Sequence, residues 1–227
     1  MRRAFTLRAL IWAIVIVVIS AVIYLTSATS GRASIEAVYS GDSFIAVDNA
    51  SKGPMYNLTY GEITEEGIRS IIGYLKETRA PISTFIDLGC GNGRSLVYAI
   101  KSGFSKAKGA EIVDERYQFA IRAMAKLPEY RSAIEILHAD FFHLPREFFP
   151  PNSTIFVSNL LFPLETSERL LQFLSDNTTG DVTLVVSKLP ANLHKYRLDK
   201  SIDVPMSWQK ASTCYVLKKS GRVNTGP

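Results

Sequence analysis

Residues 85–95 read FIDLGCGNGRS, and this stretch decides the fold. An apolar run closes on Asp87, Gly89, Gly91 and Gly93 follow at every second position, and Arg94 stands where a dinucleotide fingerprint needs its last glycine. Phe85 to Arg94 reads as a strand, a turn and the first residue of a helix. Glycine at 89 and 91 permits positive φ and close approach of a ligand to the backbone, and Gly93 lets the helix begin tight against the sheet. The spacing is GxGxG preceded by an acid, which favours a nucleoside cofactor without a pyrophosphate over a dinucleotide. A purely structural turn could use the same residues. Its place at the first strand-to-helix junction strengthens the cofactor reading.

Around this turn, short apolar runs alternate with helical patterns. Ile63, Ile68, Ile71, Ile72 and Leu75 fall near helical spacing, with acids early and Lys76 late, as the helix dipole prefers. Strands are predicted at 84–88, 107–113, 134–139, 154–162, 182–188 and near 212–219, with helices in RSLVYAIKSGF, DERYQFAIRAMAKL and ETSERLLQFLSD between them. Such alternation predicts an α/β domain: a mostly parallel sheet covered by helices on both faces, with its ligand beyond the carboxyl ends of the strands. Two further acids suit that ligand. Glu111 ends the second strand about 20 residues past the turn, where a carboxylate can accept both hydroxyls of a ribose. Asp140 ends the third strand and could take an adenine amino group while Phe141 packs on the base. Each acid alone could equally cap a helix or end a strand in solvent.

The first 25 residues carry a different signal. Ala9 to Leu25 is apolar except for Ser20, Arg2, Arg3 and Arg8 precede it, and the first acid is Glu36. About 17 such residues are the short end of what spans a bilayer as a helix. We read 1–8 as a basic N terminus, 9–25 as a single-pass transmembrane anchor, 26–59 as linker and approach segment, 60–219 as the α/β domain and 220–227 as a tail. A cleaved signal peptide and an arginine-rich mitochondrial start are the alternatives. By the positive-inside rule the domain lies across the membrane from the cytosol, where the sequons at Asn49, Asn57, Asn152 and Asn177 would be accessible. That side lacks a cytosolic cofactor, so either the rule fails here or the membrane is organellar.

Net charge is +5, with a basic excess between Lys188 and Arg222 that could meet nucleic acid or another anion, or simply be a solvated face. Cys90 and Cys214 are too few for a disulfide framework. His138, His143 and His194 have neither cysteine company nor HExxH spacing, so no metal is expected.

The stretch FIDLGCGNG resembles the signature of the class I S-adenosylmethionine-dependent methyltransferases. TYGEI at 59–63, IFVSNLLF at 155–162, VVSKLP at 185–190 and MSWQKASTCY at 206–215 extend the likeness. Together they resemble the nucleosomal histone lysine methyltransferases of the disruptor-of-telomeric-silencing (Dot-type) family over about residues 56–218. The resemblance implies a Rossmann-like seven-stranded sheet, S-adenosyl-L-methionine as cofactor and a protein lysine as acceptor. It implies that Tyr60, Gly61, Glu62 and Ile63 cover the methionine end. It further implies that Phe85, Asp87, Gly89, Cys90, Gly91, Asn92, Gly93 and Arg94 cradle the cofactor, that Glu111 holds the ribose, and that Asp140 with Phe141 holds the adenine. Asn159 would lie beside the transferable methyl, with Trp208 and Tyr215 shaping a lysine channel. Arg94 replaces the usual glutamine, Leu160 follows the asparagine where an aromatic is usual, and the long basic nucleosome-gripping extension is missing or reduced. The turn DLGCGNGR and the apolar N terminus also resemble membrane-anchored lysine methyltransferases of an ATP synthase rotor subunit. Those enzymes carry arginine at the position of Arg94. A non-catalytic scaffold that keeps the fold is the remaining alternative.

Overall fold

The computed structural model describes Val18, residues 33–40 and residues 61–219. Apart from Val18, the expected anchor lies outside the described residues, as do Tyr60, the tail and most of the linker. Among the described residues no helix is long and apolar enough to cross a membrane.

Seven strands form one sheet: β1 (Thr84–Leu88), β2 (Lys106–Glu111), β3 (Ile134–His138), β4 (Ser153–Val157), β5 (Thr183–Val186), β6 (Tyr196–Met206) and β7 (Gln209–Lys219). Their order is β3-β2-β1-β4-β5-β7-β6, parallel from β3 to β5, with β7 antiparallel to both of its neighbours. The helices are α1 (Ile35–Tyr39), α2 (Glu65–Glu77), α3 (Arg94–Ser102), α4 (Asp114–Ala125), α5 (Pro128–Arg131) and α6 (Leu164–Asn177).

Strand β1 is buried along its whole length because both sheet faces are covered. Alternate side chains feed two apolar layers: Phe85, Phe156, Val185 and Val216 pack with α1 to α4, whereas Ile86, Ile155, Leu184 and Leu217 pack with α6. At about 1.5–3 kcal/mol for each fully buried aliphatic or Phe side chain, these layers supply the main drive for folding.

Three elements escape the sequence pattern, the four-residue α5 among them. Strand β6 was not among the six predicted strands, because most of its side chains are exposed and it carries Pro205, as an edge strand tolerates. Helix α1 lies inside the segment read as linker; Ser34 caps it by accepting from the Ala37 N–H, and Ile35, Val38 and Tyr39 are buried in the first layer. Strand β4 is shorter than expected, because the chain turns at Asn159, whose carbonyl accepts from the Phe162 N–H.

Candidate cofactor site

The glycine turn joins β1 to α3 where the parallel order reverses between β1 and β4. Gly89 and Cys90 donate their N–H groups to the Ala110 carbonyl, which ties the turn to the end of β2. Gly91 and Gly93 both sit at positive φ, 56° and 79°, where a Cβ is strained. Gly93 is also hemmed in, since an added Cβ would lie 3.1 Å from Ile136 and 3.3 Å from Ala120. The expectation that Gly93 starts its helix against the sheet therefore holds.

Glu111 closes the other side of the turn. One carboxylate oxygen accepts from the Gly91 N–H at 2.8 Å and the other from the Val113 N–H at 2.9 Å, in a buried setting. A carboxylate offers about four acceptor positions, so both oxygens keep capacity for donors such as the hydroxyls of a ribose. Asp87 lies beneath. It accepts from the Ser95 hydroxyl, and burial, reinforced by the negative charges of Glu111 and Glu62, pushes its carboxyl up to about 7. Three acids converging on one bare turn disfavour additional negative charge and suit a ligand bearing hydroxyls and positive charge.

Asp140 does serve as a helix cap: it accepts from the Phe142 N–H at 2.9 Å at the start of a short 3-10 turn, Phe141–His143. Its second oxygen lies 3.7 Å from His143. Phe141 is half-buried and its ring stacks on Phe162 at 6.2 Å.

The segment from Gly61 to Thr64 is strapped to the tip of the β6–β7 hairpin. Glu62 and Ser207 exchange hydrogen bonds, with the Glu62 N–H donating to Ser207 Oγ and the Ser207 N–H to the Glu62 carbonyl. Ile63 bridges Met206, and Thr64 donates twice to the Pro205 carbonyl. Glu62 turns its carboxylate to Arg94 at 3.4 Å, and the Arg94 guanidinium lies 4.7 Å over the ring of Tyr39 from α1. Helix α1 is thus docked beside the turn, and Tyr98 secures it with a hydrogen bond to Glu36. Between strap and turn lies a narrow cleft of about 20 Å³, lined by Glu62, Asp87, Gly89, Cys90, Ser95 and Phe156 among others. That is room for about one water.

Of the three residues expected at the reacting end, Asn159 and Tyr215 lie at the same end of the sheet, after β4 and on β7, and Trp208 at the hairpin tip. Asn159 is fully buried, with its amide clasped to the Lys188 backbone in both directions at 2.9 Å and reaching Ser167 at 3.4 Å. It locks the loop after β4 to the loop after β5. Tyr215 sits level with Val186 at the sheet end, packed in the second apolar layer. Trp208 lies at the hairpin tip, 42% exposed, with its ring so close that a Cβ on Gly61 would fall 2.3 Å from it. Extended chain rises about 3.4 Å per residue, so Trp208 stands well beyond Tyr215 rather than beside it. Ser95, the second residue of α3, and Ser207 complete the site from within the quoted stretches 85–95 and 206–215 although neither was singled out, and Tyr39 and Val113 complete it without a motif of their own.

Strand order and the reversed β7 together make this the class I methyltransferase fold. Solved structures with the same fold include the Escherichia coli protein yhhF, a methyltransferase by assignment: 15% identity, TM-score 0.53, covering 74% of this chain and 92% of that one. Magnesium protoporphyrin IX methyltransferase from Synechocystis, solved with S-adenosylhomocysteine, has 13% identity and a TM-score of 0.50 over 81% of this chain and 90% of its own. Haemophilus influenzae HI0767, a methylase by assignment, has 15% identity and a TM-score of 0.50 over 67% of this chain and 87% of its own. No protein-family model and no curated protein matches the sequence.

Proposed function

We propose that the chain is an S-adenosylmethionine-dependent methyltransferase that modifies a lysine side chain of a protein. The observation that carries the cofactor is the clamp in which Glu111 accepts from Gly91 and Val113, set at the ligand-binding edge of this fold. When bound, the cofactor supplies a methyl group activated on a sulfonium. Glu111 would hold the ribose, the backbone at Gly89 to Gly93 would lie against the amino-acid portion, and Asp140 with Phe141 would flank the adenine. Glu62 and Arg94 supply one charge of each sign where the amino and carboxylate groups of the methionine end would fall. The other contributions of the chain are positioning and exclusion of water, which favours an uncharged amine and by alignment alone can account for several kcal/mol of barrier.

Two short likenesses support the lysine acceptor: Tyr60 to Ile63, and the Ser207 to Tyr215 stretch. A histone is the first candidate by the Dot-type resemblance. The second reading, a lysine of a membrane protein, is favoured by Leu160, Leu161 and Leu164, which are exposed together beside the site at the end of β4. With an anchor at 9–25, an apolar rim of this kind suits an acceptor held at the bilayer, where tethering raises effective concentration.

The test is titration calorimetry with S-adenosylmethionine, followed by transfer of a labelled methyl group to nucleosomes and to membrane fractions. We expect binding that falls at least about tenfold in Glu111→Ala and Gly91→Arg, the loss of one charge-assisted contact being worth about 1.5–3 kcal/mol. Unchanged binding in both variants sinks the cofactor assignment. Binding without transfer to any protein leaves the scaffold.

A further inference from the structure

A second cavity opens on the opposite edge of the sheet, at the amino ends of β4 and β5, and belongs to no part of the site above. It holds about 500 Å³ and is lined by four cations, Arg79, Arg197, Lys218 and Lys219, against two carboxylates, Asp181 and Asp199. The strands between this edge and the glycine turn run about 15 Å, at 3.3 Å per residue, so nothing bound here touches the cofactor.

The charges in the cavity are not balanced internally. Asp199 is already engaged, accepting from the Tyr74 hydroxyl at 2.5 Å and from Arg197 at 3.0 Å. Lys218 is half-buried, donates to Thr183 and lies 5.3 Å over the ring of Tyr74. Burial is the largest influence on its ammonium and outweighs Asp199 and Asp181, so its proton is held less firmly than that of a solvated lysine. Lys219 donates to the Thr178 carbonyl and hydroxyl and makes no ion pair among the described residues. Arg79 is likewise unpaired there, and holds left-handed backbone, φ 55°, at the end of α2, where glycine is the residue without strain. Asn152, also lining the cavity, has φ 63°.

Four cations against two carboxylates leave a net charge of +2 facing a volume typical of small-molecule sites. We propose that this cavity binds a phosphate-bearing ligand through Arg79, Arg197, Lys218 and Lys219, making it an anion site separate from the methyl-transfer centre. A phosphomonoester matches the charge, and guanidinium and ammonium donors suit its oxygens. The ligand is either a soluble phosphate ester or the headgroup of an anionic lipid.

Arg79→Gly separates binding from folding, because it deletes a cation and at the same time relieves positive-φ strain. Calorimetry of the full chain with pyrophosphate at constant ionic strength should give saturable binding. Affinity should fall by about tenfold in Arg79→Gly, equivalent to one charge-assisted contact, while the thermal midpoint holds or rises and S-adenosylmethionine binding is unchanged. Vesicles of phosphatidylcholine with phosphatidic acid, but not phosphatidylcholine alone, displace the pyrophosphate if the ligand is a lipid. Displacement by neither means a soluble ester. Absence of saturable pyrophosphate binding, or equal affinity in the wild type, Arg79→Gly and Lys218→Gln, overturns the proposal.

Discussion

Asp87 shows how a single side chain sets the behaviour of the site. Its carboxyl titrates near 3.8 in an unfolded chain and is pushed up to about 7 in the fold, chiefly by burial. Between these values the folded state holds a proton that the unfolded state has lost. Its stabilising share is therefore complete below about 3.8 and disappears as pH rises through about 7. A cationic cofactor reverses the preference locally, favouring the carboxylate. Affinity for S-adenosylmethionine should accordingly increase between about pH 6 and about pH 8, with a mid-point near the raised value. Asp87→Asn should flatten that profile, and calorimetry across the range checks it; an equally steep profile in the variant assigns the dependence elsewhere. At this scale the sequence was informative. Gly91 and Gly93 stood out because positive φ leaves a residue-type signature, and Glu111 because an acid that ends a strand beside the turn does too. The clasp that Asn159 makes on the Lys188 backbone was not legible, since an asparagine that joins two loops carries no pattern of its own in one dimension.

Among the elements, the strap and the hairpin it joins matter most. Thr64 begins α2 as its cap and is bonded to Pro205, so the first turn of the helix and the hairpin are one junction. Gly67 makes the approach possible: an added Cβ would lie 2.4 Å from the Pro205 carbonyl and 2.7 Å from Ile63. Glycine to alanine inside a helix ordinarily stabilises by about 0.5–1 kcal/mol. Overpacking against backbone ordinarily costs about 1–3 kcal/mol, and here the clashing atom cannot rotate away. The clash prevails, so Gly67→Ala should lower stability by about 1–2 kcal/mol in urea unfolding and weaken cofactor binding through displacement of Glu62. A stability gain would show that the junction yields. Periodicity exposed α2, α3, α4 and α6 because each buries one stripe. It missed β6, whose exposed charged flank gives little alternation, and α1, whose five residues are too few to repeat.

For the whole molecule, the alternation of strands and helices made the α/β class and the parallel core legible. It left hidden the docking of α1 onto the glycine turn, because that contact joins segments about 60 residues apart through Tyr39, Arg94, Glu36 and Tyr98. The two ends of the sheet also divide labour in a manner that no linear motif reports. Carboxylates gather at the turn and cations at the opposite edge, from Arg79 to Lys219.

The pairing of Glu62 with Ser207 spans 145 residues. Its consequence is temporal. On the ribosome the glycine turn is made well before its cover, so a nascent chain holds an uncovered half-site until the β6–β7 hairpin has emerged. Contacts this distant are also slow to form in refolding. A chain ending at residue 195, lacking β6 and β7, should retain helical signal by circular dichroism yet show no calorimetric response to S-adenosylmethionine. Full affinity in that fragment would mean that the early half suffices.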